Sequence, residues 1–259
     1  MSDFDYGGEV ATPVSKFKKA SVGTRNARLF GLLRLGTFRE EFRQGGKVTI
    51  KDPAPQALAI FHLLGKDDKA EDGSPTFFTK TFPLKKGSKS FLHSKFIPAF
   101  GGMTKHTGFG SMVGGLFTLT LKGGKELEED GTPKYTNFDS MSCLAEDMLE
   151  MLEESPKYAA LENPVGFLKE SELTEEALDY LHPTREFAGI LMQTDEFKAG
   201  THPCQELIQS IFDKDPERYT AKAGDEKGKD EDGDEGQQQS QSNTAASLPT
   251  DDADQDEEF

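Results

Sequence analysis

The chain is poor in several residue types, and each shortage argues against a class of protein. Its 259 residues include no tryptophan and only two cysteines, Cys143 and Cys204. Two distant cysteines argue against a disulfide framework and against a zinc site built on cysteine, and they favour a reducing cytoplasm. No run of about 18 apolar residues occurs, so we expect no transmembrane helix and no membrane partner. The first ten residues, MSDFDYGGEV, lack the apolar stretch of a secretory signal.

Signatures of catalysis are also missing. The sequence contains no G-x-S-x-G, G-x-x-x-x-G-K-[ST] or H-E-x-x-H motif. A glycine-rich stretch, GFGSMVGG at 108–115, does not open a helix followed by an acid, as a dinucleotide site requires. The acidic stretch KDEDGDEGQ at 229–237 lacks the closing glutamate of a calcium loop. We therefore expect no enzyme activity, no metal and no cofactor.

Acidic residues are absent from one long segment, although the chain as a whole carries a net charge of −16. Residues 73–125 contain eight lysines, eight phenylalanines and no aspartate or glutamate. Residues 1–139 carry a net charge of +6, and residues 140–259 carry −22. Such asymmetry between the two parts of a chain indicates nucleic-acid binding, even where the total charge is negative.

The hydrophobic pattern of the first part predicts short strands and one helix. The Ala and Leu content of the second predicted strand leaves a helix there as an alternative. The predicted strands are 28–38, 56–65, 76–84, 112–122 and 134–140, and the predicted helix is 88–100. The order β-β-β-α-β-β is that of an OB-fold, a five-stranded, partly open barrel. The expected fold is therefore mainly β, OB-fold-like, with helices appended.

Composition divides the chain into three parts. Residues 1–139 are the predicted OB-fold-like nucleic-acid-binding core, and residues 140–221 are a predicted helical extension punctuated by prolines. Residues 222–259 carry a net charge of −10, and their only large apolar residues are Leu248 and Phe259. This last part cannot bury enough apolar surface to fold, so we expect a disordered acidic tail.

Basic and aromatic residues alternate in two of the predicted strands. Single-stranded nucleic acid binds to a positive groove that follows the phosphates and to aromatic faces on which bases stack. The two-residue period of a strand places Phe78, Lys80 and Phe82 on one face, and Arg28, Phe30, Leu32 and Arg34 on another. The alternation of Phe78, Lys80 and Phe82 predicts that their face is a solvent-facing platform on which bases stack. The predicted binding set is Arg28, Phe30, Arg34, Phe78, Lys80, Phe82, Lys85, Lys86, Lys89 and Lys105.

Phenylalanine is also the main candidate for filling the core, because the chain has 20 of them. A ring on a strand therefore has two interpretations, as core or as platform, and for Phe30 and Phe78 both stay open. Five other rings are assigned to the core: Phe91, Phe96, Phe100, Phe117 and Phe138.

Three stretches, ARLFGLLRLGTF, FFTKTFPL…SKSFLHSKFIPAFGG and the final DDADQDEEF, resemble the single-stranded DNA-binding proteins of tailed bacteriophages. The resemblance implies sequence-independent binding of single-stranded DNA in phage DNA replication or recombination, in the cytoplasm of an infected bacterium. It implies that the tail recruits the replicative DNA polymerase and the helicase–primase, and it leaves open a monomer or a dimer. The tail residues concerned are Asp256, Glu257, Glu258 and Phe259.

The acidic tail also permits a different function. An acidic chaperone or assembly protein would bind basic partners through the tail, while the rest of the chain only folds. The acid-free segment 73–125 argues against this alternative, because a protein that binds basic partners has no use for it. The tail's charge suggests a further expectation: it competes with DNA for the basic groove.

Overall fold

The computed structural model describes residues 19–44, 47–69 and 72–220. The predicted acidic tail, including Asp256, Glu257, Glu258 and Phe259, lies outside these ranges. Within them the strands are β1 (Gly23–Phe38), β2 (Glu41–Gln44), β3 (Lys47–Ile50), β4 (Ala54–Leu63), β5 (Phe77–Pro83), β6 (Leu116–Gly123), β7 (Thr136–Ser142) and β8 (Gly166–Leu168).

Six of these strands form one sheet, in the order β5-β4-β1-β6-β7 with β8 beside β1. All pairs in the sheet are antiparallel except that of β1 with β8. Strands β1, β4, β5 and β6 lie in the spatial order β6-β1-β4-β5, which is the arrangement of a Greek key. The expectation of a mainly β fold is confirmed. The sheet is open and has six strands instead of the expected five, and β2–β3 is a separate hairpin that the sequence pattern did not predict.

The helical segments are short. Besides single 3-10 turns, they are a π-helix at Leu92–Phe96 that continues as α1 (Ile97–Ala99), then α2 (Glu146–Glu153), α3 (Glu175–Leu178), a π-helix at Pro183–Ala188, α4 (Asp195–Lys198), α5 (Gln205–Lys214) and α6 (Pro216–Tyr219). Threonine N-caps begin two of them: Thr174 accepts a hydrogen bond from the Ala177 N–H and Thr194 from the Phe197 N–H. The predicted helix at 88–100 is present as the shorter helical segment 92–99, and the prediction of helices after residue 140 is confirmed.

The central strands β1 and β4 are buried on both faces of the sheet, because a different helical layer covers each face. One face packs against the helical segment at 92–99 around Phe61, Phe96 and Phe117, which we call the inner core. The other face packs against the helical extension, where Leu58 and Phe187 belong to the outer core. Burying a side chain of this size stabilises the fold by about 1.5–3 kcal/mol. Strand β4 pairs with β1 on one side and β5 on the other, so the helical alternative for 56–65 is wrong.

The five rings assigned to the core lie on the inner side. Phe96, Phe100 and Phe117 are buried, and Phe91 and Phe138 pack partly buried against the same cluster. The assignment is therefore confirmed for the first three and holds in part for the other two.

Strand β1 does not keep a strict two-residue period. Its pairing with β4 shifts register between Leu29 and Gly31 and again between Arg34 and Gly36. The first of these bulges places Phe30 in the outer core and Leu32 in the inner core, so the two residues do not share a face as the sequence predicted. Gly31 also allows the following chain to approach, because a Cβ there would lie 2.8 Å from the Val165 Cβ.

Candidate nucleic-acid interface

Strand β5 carries the predicted platform and lies at one edge of the sheet. Its Phe82 side chain is only 2% exposed and contacts the rings of Phe91 and Phe96, with centroids 4.8 and 5.2 Å away. The face that alternates aromatic, lysine, aromatic therefore points toward the helical segment at 92–99. Phe82 is a core residue, which corrects the expectation that this face is open to solvent.

Lys80 lies between two rings of the same region. Its Nζ is 5.2 Å from the centroid of Phe91 and 5.1 Å from that of Phe138, which stands on β7. Such cation–π contacts contribute about 0.5–2 kcal/mol each, depending on exposure. Strands β5 and β7 are the two edges of the open sheet, and these side chains fill the gap between them. We call this gap, lined by Lys80, Phe82, Phe91 and Phe138, the β5–β7 seam.

Phe78 is the predicted ring that keeps a partly open surface. It is half-buried, and its ring lies nearly parallel to that of Phe61 at an interplanar angle of 12° and a centroid distance of 6.4 Å. Phe30, by contrast, is 7% exposed and contacts the Phe77 ring at 4.9 Å. Of the two rings whose interpretation stayed open, Phe30 is core, and Phe78 has surface available for stacking.

Three of the predicted cations have partners within the fold. The Arg28 guanidinium donates to the carbonyls of Gly114 and Tyr158, the latter at 2.6 Å. Arg34 forms an ion pair of 2.9 Å with Glu170, and Lys105 forms one of 2.7 Å with Glu146. These contacts hold surrounding segments together, so Arg28 and Arg34 do not form with Phe30 the basic–aromatic face that the sequence predicted.

The remaining predicted lysines form an exposed cluster. Lys85, Lys86 and Lys89 follow β5 directly, and Lys95, which the sequence-based set omitted, is exposed on the helical segment that comes next. We call these four residues the lysine loop. No ion pair joins any of them to another residue in the described part of the chain. The Ser90 hydroxyl donates to the Lys85 carbonyl at 2.9 Å and fixes the start of this loop.

The opposite face of β5 carries a second aromatic pair that the sequence-based set missed. The half-buried rings of Phe77 and Tyr180 meet edge to face with centroids 5.2 Å apart. His62 lies against the same Phe77 ring at 5.6 Å, and burial lowers the pKa of His62 below its ordinary value. Tyr180 comes from the helical extension, so no local pattern could connect it with β5.

The β2–β3 hairpin and the lysine loop leave the sheet at the same end. The hairpin lies in the connection from β1 to β4, where Phe38 pairs with Ala54. Strand β5 ends where Pro83 pairs with Gln56, and the Leu84 N–H donates to the Pro55 carbonyl at 2.7 Å. An extended ligand on the lysine loop would therefore lie near the base of the hairpin.

Comparisons with known proteins do not assign a family. A scan against protein-family models finds no match to this chain, and neither does a search of curated proteins. In the ranges that the structure describes, no group of three His, Cys, Asp or Glu side chains is arranged to hold a metal ion. In the same ranges, no helix has the length and apolar character needed to cross a membrane.

Proposed function

We propose that this chain binds single-stranded DNA without sequence preference, in phage DNA replication or recombination, and that its sheet is an OB-fold. The Greek-key strand order supports the fold, together with the helical segment at 92–99 between β5 and β6 and the additional edge strand β7. An OB-fold uses its sheet surface and the loops beside it to bind oligonucleotides. The proposed site is accordingly the β5 edge and the lysine loop.

The lysine loop is the observation that carries this proposal. Four exposed ammonium groups stand in a segment of 53 residues that contains no acid, within a chain of net charge −16. Exposed lysines that no ion pair joins to another described residue are suited to an external anion. A phosphate backbone satisfies this requirement, and its binding releases condensed counterions.

Aromatic stacking supplies the second contribution. Phe78 on one face of β5, and Phe77 with Tyr180 on the other, keep part of their ring surfaces accessible at the start of β5, the strand whose other end leads into the lysine loop. Each stacked base contributes about 1–3 kcal/mol, and stacking tolerates every base. Binding by phosphate contacts and stacking therefore explains the lack of sequence preference that we propose.

The acidic tail completes the proposal. Its net charge of −10 lets it compete with DNA for the lysine loop, and its last residues offer an apolar ring flanked by acids to a partner. The proposed partners are the replicative DNA polymerase and the helicase–primase, bound through Asp256, Glu257, Glu258 and Phe259. The proposed location is the cytoplasm of the infected bacterium.

The decisive experiment compares two triple variants of the full chain. The first, Lys85→Ala/Lys86→Ala/Lys89→Ala, removes three cations of the lysine loop. The second, Lys169→Ala/Lys198→Ala/Lys214→Ala, removes three exposed cations of the helical extension and changes the net charge equally. Affinity for labelled poly-dT is measured by fluorescence anisotropy over a series of salt concentrations.

The first variant should lose affinity, and the slope of log K against log salt should become shallower by about 2, since each phosphate contact contributes about 0.7 on single strands. The second variant should keep the slope of the unmodified protein. Equal behaviour of the two variants would show that only net charge matters. Absence of poly-dT binding by the unmodified chain would leave the acidic chaperone as the better function.

A further inference from the structure

The β2–β3 hairpin carries exposed apolar side chains that pack against neither core. In its register Glu41 pairs with Ile50 and Arg43 with Val48, so Val48 and Ile50 stand on one face of the ribbon. Their exposures are 55% and 57%. Neither residue belongs to the inner or the outer core.

The hairpin stands apart from the sheet. Its two strands contact each other far more than they contact any other element. At its base the Lys51 N–H donates to the Glu40 carbonyl at 2.9 Å, and the Lys51 Nζ lies 2.9 Å from a Glu40 carboxylate oxygen. A two-stranded ribbon alone is marginally stable in water, so exposed Val and Ile on such a ribbon point to a ligand that covers them.

Charge favours nucleic acid as that ligand. Residues 39–51, REEFRQGGKVTIK, contain four cations and two acids, and one of the acids is paired with Lys51. A second copy of this chain would bring the same positive charge against the first, which disfavours self-association through the hairpin. The base of the hairpin also lies at the end of the sheet from which the lysine loop emerges.

We propose that the hairpin is a wedge for junctions between single-stranded and duplex DNA, with Val48 and Ile50 inserted against the terminal base pair. Apolar side chains inserted between bases unstack them. The lysine loop would hold the strand that is released, so this inference rests on the proposed function. The consequence is an activity beyond simple binding: the chain would open duplex ends that adjoin a single strand.

The test uses a DNA duplex with a dT overhang, a fluorophore and a quencher on the terminal base pair, and the full chain. The variant is Val48→Ser/Ile50→Ser. The control is Val22→Ser/Leu127→Ser, which removes two other exposed apolar side chains, of 48% and 61% exposure. Affinity for poly-dT is measured in parallel and also reports whether each variant is folded.

The hairpin variant should open the junction about tenfold less than the unmodified chain at equal protein concentration, while its poly-dT affinity stays within about twofold. The control should behave like the unmodified chain in both assays. Unchanged junction opening with intact poly-dT binding would overturn the wedge and leave single-strand binding in place. If the hairpin variant instead changed the sedimentation coefficient from that of an oligomer to that of a monomer, the face would be a contact between copies and the wedge would be wrong. Failure of the unmodified chain to bind poly-dT would overturn both proposals.

Discussion

The arginines of β1 and the lysine loop are both positively charged, but they differ in what surrounds them. Arg25 forms a 2.6 Å ion pair with Asp68 in which both side chains are under 10% exposed, and Arg28 binds two backbone carbonyls. The lysine loop faces solvent. A planar guanidinium with several fixed donors suits acceptors held in place by a fold, whereas an ammonium on a flexible stem suits a mobile phosphate. Positively charged residues therefore have two roles in this chain. The arginines of β1 stabilise the fold, whereas the lysine loop faces solvent.

The largest effect should come from breaking a structural cation. Arg25→Met leaves Asp68 buried without its partner, so the free energy of unfolding should fall by about 3–5 kcal/mol. Lys86→Met, the control from the lysine loop, should leave it unchanged. Urea denaturation measures both. Similar stability for the two variants would remove the distinction between the two groups of cations.

An intermediate effect should come from Phe78, the half-buried ring on β5. Phe78→Ala should weaken poly-dT binding by about 1–3 kcal/mol, because a base loses its stacking surface. Phe78→Leu keeps apolar contact with Phe61 and should cost less than about 1.5 kcal/mol of stability, yet it should lose affinity as well. Unchanged affinity in the leucine variant would assign Phe78 to the core alone, with Phe82.

A smaller effect, which depends on pH, should come from Glu186, a buried carboxyl of the helical extension. Burial raises the pKa of Glu186 above its ordinary value, against the opposing effects of Arg185 and of the His182 N–H that donates to it at 2.9 Å. The folded state therefore holds this proton more tightly than the unfolded state. Its contribution to stability is full below the ordinary glutamate pKa and is lost as pH rises through the raised value.

The variant Glu186→Gln has no such proton to lose. Its stability relative to the unmodified chain should rise with pH across that window and then level off. Thermal unfolding from pH 4 upward measures the difference, and Lys86→Met should show no pH-dependent difference. A constant difference at all pH values would mean that Glu186 titrates alike in both states.

Much of the sheet was predictable because its residues are strong β-formers. The sequence predicted strands around Leu32, Phe61, Phe78 and Phe117, and each of these residues lies in a strand of the structure. The run ALAIFHLL also carried information that the prediction did not use: a strand that is apolar at all but one position is buried on both faces. The hairpin at 41–50 was not predicted, although Val48, Thr49 and Ile50 favour a strand, because each of its strands has only four residues and gives too short a pattern.

The site was harder to predict, since its decisive features are not local. The bulge between Leu29 and Gly31 separates Phe30 from Leu32, and only Gly31 hints at it in the sequence. The alternation of Phe78, Lys80 and Phe82 does not show whether this face of β5 points toward solvent or into the β5–β7 seam. That depends on Phe138, about 60 residues later, reaching the same lysine. The exposed lysines after β5 were predictable because loops lie on the surface.

The parallel pairing of Gly31 with Gly166 also has a consequence for how the chain is made. Strand β1 leaves the ribosome early, but β8 and the helices that cover its outer residues follow more than 130 residues later. At about 5–20 residues per second, Leu33 and Leu35 stay uncovered on the nascent chain for roughly 7–30 s. During that interval the growing polypeptide presents an apolar strand surface, which makes it a substrate for chaperones and vulnerable to aggregation until β8 has been synthesised.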